Sequence, residues 1–68
     1  QSARLRAGTR LQRARRARGY TQRGQAALLR LTPQRLNSYE CGRAEEDMPA
    51  YEHLLKLIEA IPSRGGGS

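Results

Sequence analysis

Within five positions, Gln34, Arg35, Asn37 and Ser38 bring together two carboxamides, a guanidinium and a hydroxyl. A carboxamide sets one acceptor beside two donors, and a guanidinium is a rigid fork of donors, so both suit flat partners that carry donors and acceptors along an edge. Base pairs seen from a major groove are such edges: Gln and Asn match adenine, while Arg matches guanine or a phosphate. The same residue types break no bonds. The chain has one histidine, His53, and one cysteine, Cys41. It offers no Ser/His/Asp set, no Gly-rich phosphate loop, no apolar carboxylate pair and too few ligands for zinc. This reading expects a non-enzymatic protein with no catalytic residue, cofactor or metal.

Charge points the same way. Ten arginines and no acid precede Glu40, whereas all six acids lie from Glu40 onward, beside Arg43, Lys56 and Arg64. A basic half of this kind faces a polyanion, because its charges repel one another until something neutralises them. The arginines surround the first helical segment and leave no broad apolar face, which argues against a membrane-surface helix. No apolar run approaches a membrane span. A single cysteine precludes an internal disulfide and fits a reducing, intracellular setting.

Positioning those polar groups requires short helices. Period-two alternation is missing and β-branched residues are few, so strands are not expected. Residues 1–7 read as a loose basic arm, 8–62 as one domain and 63–68 as a flexible tail. Helices are expected at about 9–18, 21–29, 32–40 and 50–61. Thr9 would cap the first, and Gly19 would end it in a left-handed conformation. Leu11 and Ala14 face inward there. Arg15 points to the same side in mid-helix and needs a carboxylate partner, whereas Arg18, at the end, reaches solvent. Thr21 caps the second helix, whose apolar residues are Ala26, Leu28 and Leu29. Thr32–Pro33 is a restart signal, a capping hydroxyl followed by proline at the first helical position. The third helix turns Leu36 and Tyr39 inward and the four polar residues outward, and Gly42 ends it. In the fourth, opened by Asp47 or Ala50, Tyr51, Leu54, Leu55, Ile58 and Ile61 form an amphipathic stripe, with Leu57 at its edge.

The run Gly19-Tyr20-Thr21-Gln22, then Ala26, Leu29, Leu31-Thr32, Leu36, Tyr39-Glu40 and Gly42, resembles the phage repressor/Cro-type (XRE) helix-turn-helix family. Leu11 and Arg15 before it, and Pro49 and Leu54-Leu55-Lys56-Leu57 after it, match as well. The resemblance covers about residues 7–61 and implies an all-α, lambda-repressor-like domain of four helices, at most five. It also implies that Pro33, Gln34, Asn37 and Ser38 meet base edges. Gln22, Thr32, Cys41 and Arg43 would lie against the DNA backbone, and Arg15 and Glu40 would form an internal ion pair. Charge and location add Arg23 and Arg35 to the backbone set, and Arg30 near it. Three residues depart from the family pattern. Gln25 stands where leucine is usual, Arg30 where glycine is usual, and Pro33 where many relatives place a polar reader.

The function expected is a sequence-specific regulator of transcription, a repressor, that binds double-stranded DNA as a homodimer in a bacterial cytoplasm or nucleoid. Leu57 and Ile61 are the candidate dimer or partner contacts. The alternative is an antitoxin-like or phage-assembly interaction module that docks a protein through the acidic C-terminal half, with DNA binding secondary.

Overall fold

A computed structural model of the chain describes residues 2–63; Gln1 and all but the first residue of the expected 63–68 tail lie outside the described residues. Among the described residues the fold is all-α, with four helices: α1 (Ala3–Ala17), α2 (Gln22–Leu29), α3 (Pro33–Glu40) and α4 (Met48–Ala60). None is long and apolar enough to cross a membrane.

Local signals account for most of the boundaries. The hydroxyls of Thr21 and Thr32 each accept a hydrogen bond from the backbone N–H three residues on, at 3.0 Å. Asp47 caps α4 in the same way through the Ala50 N–H. Gly19 and Gly42 take positive φ, 79° and 71°, where the chain leaves α1 and α3. Arg30 does so too, at φ 60°, and closes α2 in the left-handed conformation expected of a glycine.

The first helix starts six residues earlier than its sequence suggests, so most of the basic arm expected at 1–7 is helical. Ser2 is its N-cap, accepting from the Leu5 N–H, while Thr9 lies inside the helix with its hydroxyl on the Leu5 carbonyl. Distant contacts hold this extra turn. The backbone of Leu5 packs so closely on Gly42 that a Cβ there would fall 2.7 Å from the Leu5 Cα. In addition, Arg4 Nε donates to the Glu46 carbonyl at 2.9 Å.

The core is built chiefly where α1, α3 and α4 meet. Leu11, Tyr39, Ala44, Tyr51, Leu54 and Ile58 are buried in one cluster. The two tyrosines there meet edge to face, with centroids 5.0 Å apart. Gly8 allows α1 to lie directly on the end of α3, since a Cβ at Gly8 would sit against the Tyr39 carbonyl and 2.6 Å from that of Glu40. The far end of α4 is held by α1 and the turn after it. Arg18 donates to the carbonyls of Ile61 and Glu59, and the Tyr20 hydroxyl donates to that of Pro62. Arg18 is thus a clamp and not the solvated helix end expected of it.

The second helix turns Gln25 inward and leaves Leu28, one of its apolar residues, outside. Leu28 is 54% exposed, and Gln25 is completely buried beside Ala26. Neither the amide nitrogen nor the amide oxygen of Gln25 has a hydrogen-bond partner among the described residues. In an eight-residue helix the apolar residues do not fix the phase, and here Gln25, Ala26 and Leu29 share the covered side.

Candidate nucleic-acid interface

α2 and α3 are joined by the tight link Arg30–Leu31–Thr32, and the outer face of α3 is open to solvent. Pro33, Gln34, Arg35 and Asn37 are exposed on it, Ser38 is half-buried, and Cys41 is exposed just beyond. Helical phase produces this face: Leu36, Tyr39 and Glu40 occupy the buried side, so the remaining positions point outward.

A hydrogen-bond chain ties the face to the interior. Arg15 and Glu40 form a two-pronged pair, Nε to Oε2 at 2.7 Å and Nη2 to Oε1 at 3.1 Å, with the Glu40 side chain almost wholly covered. The third arm of Arg15, Nη1, donates to the Tyr20 carbonyl. Each of its three nitrogens therefore has an acceptor, which offsets the cost of burying the charge. Glu40 Oε1 also accepts from the Gln22 amide at 3.1 Å, and that same amide donates to Asn37 Oδ1 at 3.0 Å. Asn37 Oδ1 lies 3.7 Å from the Cys41 thiol as well.

This chain fixes what two side chains can offer a ligand. Both amide hydrogens of Gln22 are engaged within the protein, so the Gln22 side chain retains only acceptor capacity. A phosphate ligand at this place would have to use the backbone N–H groups of Gln22 and Arg23. These open α2, and the Thr21 hydroxyl takes only that of Gly24. Asn37 is held by its oxygen, which turns its amide hydrogens into the available group. As held, it donates to an acceptor and lacks the free oxygen that a two-point adenine contact needs. The Ser38 hydroxyl donates to the Gln34 carbonyl and keeps its lone pairs. Gln34, exposed and bonded through no side-chain atom among the described residues, has both functions free.

Arg35 lies toward one edge of this face. Its Nη2 meets Glu46 at 2.7 Å, and its guanidinium covers the Tyr39 ring at 5.0 Å from the centroid. The hydrogen bond it donates to Glu46 raises its pKa above the ordinary value, with the nearby Tyr39 adding to the effect. Sequence alone could not foresee this, because the partner comes from the 43–47 loop.

Arginine pairing divides the basic half in two. Arg4, Arg15, Arg18 and Arg35 are engaged by protein oxygens. Arg6, Arg10, Arg13, Arg16, Arg23, Arg30 and Arg43 are exposed, with no side-chain hydrogen bond or ion pair among the described residues. Arg23 lies in the first turn of α2, Arg30 between α2 and α3, and Arg43 just after α3. The expected dimer contacts are apart from this face, Leu57 on α4, where it is 39% exposed, and Ile61 just after α4, half-buried.

No protein-family model, curated protein or solved structure matches the chain.

Proposed function

We propose that the chain is a sequence-specific double-stranded DNA-binding regulator of transcription, a repressor of the phage repressor/Cro type, that reads the major groove with α3. The single observation behind this reading is the exposed polar face of α3, started by Thr32–Pro33 and tied to the buried Arg15–Glu40 pair through Gln22 and Asn37. A major groove admits one helix, and a face of small polar side chains on a short, rigidly seated helix matches it in shape and hydrogen bonding. Base contacts come from Gln34, Asn37 and Ser38, with Pro33 offering an apolar surface to a thymine methyl. The backbone N–H groups at the head of α2, the Thr32 hydroxyl, Arg23 and Arg43 take phosphates, with Cys41 beside them. Arg35 remains on Glu46 and steadies the helix edge. A homodimer formed through Leu57 and Ile61 would place two such helices on an inverted repeat, in a bacterial cytoplasm or nucleoid.

Selection of binding sites from random duplex DNA tests the reading. A palindromic motif is expected, and Gln34→Ala should flatten the preference at one base position. Gln22→Ala should alter the preference at the position read by Asn37, because it releases Asn37 Oδ1. Equal affinity for selected and scrambled duplexes would refute sequence-specific reading.

A further inference from the structure

Gly8 marks the side of α1 that lies on α3. At about 100° per residue, Arg6, Arg10 and Arg13 lie about 140–160° round the helix from it, on the opposite side. All three are exposed and, among the described residues, have no protein acceptor. α1 contains no acidic residue, so no neighbour one turn away neutralises them. They form a row about 10 Å long at about 1.5 Å rise per residue. Arg10 and Arg13 also stand at a groove between α1 and α4 of about 450 Å³, lined besides by Ala14, Arg18, Leu55 and Glu59. Arg18 is already spent on backbone carbonyls, and Glu59 is the only acid in the lining.

We propose that this row is a second phosphate-binding face, by which a molecule seated on one duplex through α3 holds a second duplex segment by its backbone. The bridging rests on the α3 reading given above. Phosphate fits the row better than an acidic protein does. Docked proteins need a buried apolar anchor, whereas the apolar side chains beside the row, Ala14 and Leu55, are already half-buried within the fold. A polyelectrolyte backbone needs only the charges.

The test immobilises one duplex, loads the protein, and measures retention of a second, labelled duplex of unrelated sequence. Three phosphate contacts give a salt slope of about −2.7, or about a 40-fold loss of retention from about 50 to about 200 mM salt. The variant Arg6→Gln/Arg10→Gln/Arg13→Gln removes all three contacts and should lose second-duplex retention at least about tenfold, together with the salt slope of about −2.7, while keeping its hold on the first. These side chains are exposed and make no hydrogen bond or ion pair among the described residues, so its thermal melt should stay close to that of the parent. Glu59→Gln should strengthen retention. If the triple variant retains the second duplex as well as the parent does, or if the parent holds only the first, this inference falls and the α3 reading stands. If the parent binds neither duplex, both fall. Binding of polyglutamate at these arginines without duplex binding would make the face an acidic-protein site and overturn the proposal.

Discussion

Replacing Gln25 with leucine should make the protein considerably more stable. The Gln25 side chain is fully buried, and among the described residues both its polar atoms lack a partner. An unpaired amide taken from water into a protein interior costs about 1–3 kcal/mol in mutational measurements. Leucine fills a similar volume, removes that cost and adds apolar burial, so a gain of about 2 kcal/mol is expected. For a domain of this size, that corresponds to a rise in Tm of roughly 8–16 °C. It is also a large share of a total stability of about 3–9 kcal/mol. Urea unfolding should show a higher midpoint at unchanged slope. Gln25→Glu should do the reverse at neutral pH and recover as acid neutralises the buried carboxylate. DNA affinity should not change in the leucine variant, since Gln25 is remote in phase from the open face of α3. Unchanged or lower stability for Gln25→Leu would refute the reasoning, because it would mean that the amide is satisfied in solution.

Three further predictions concern the supports of the interface. Glu40→Leu should unfold the domain or nearly so, losing about 3–5 kcal/mol by stranding the buried Arg15 charge; Arg15→Met/Glu40→Leu should recover most of it in denaturant titrations. Equal losses in the single and double variants would show that the pair is solvated. Gly8→Ala should cost about 1–3 kcal/mol although alanine is the better helix former, because its methyl meets the Tyr39 and Glu40 carbonyls; a stabilised variant would contradict the close approach. Burial raises the Tyr51 hydroxyl above its ordinary pKa of 10.0, against the lowering effect of Arg4. The folded state therefore holds its proton more tightly, so this stability is complete below about pH 10 and is lost as pH rises from there through the folded pKa. Tyr51→Phe should remove that alkaline loss, as followed by circular dichroism and tyrosinate absorbance.

Elements with local causes were legible in the sequence. Thr21, Thr32–Pro33 and Asp47 start helices through their own side chains, and Gly19 and Gly42 end them through backbone freedom. The inward phase of α4 follows from its stripe, and the need of Arg15 for a carboxylate follows from its mid-helix place. What escaped depends on contacts across the chain. The first turn of α1 looks like a solvated basic arm until Gly42 and the Glu46 carbonyl are seen against it. The phase of α2 is set by neighbours that cover Gln25 and leave Leu28 out. On α3, the polar composition of the face was readable, but its detailed chemistry was not. Gln22 and Asn37 are fifteen residues apart, and their bond decides which atom of each is left to offer. A glycine inside an arginine-rich helical run was the available signal for the approach of Gly8 to α3.

The clamp on the end of α4 distributes mutational tolerance unevenly. Arg18 and Tyr20 supply side chains, but what they grip are the carbonyls of Glu59, Ile61 and Pro62, which every amino acid carries. For this contact alone, the gripped positions can drift in sequence while the gripping ones cannot. A saturation library scored for folding should therefore find Arg18 and Tyr20 intolerant and Glu59 permissive, although all three take part in the same contact. The asymmetry frees the tail end of the domain to acquire new side chains without loosening its seat.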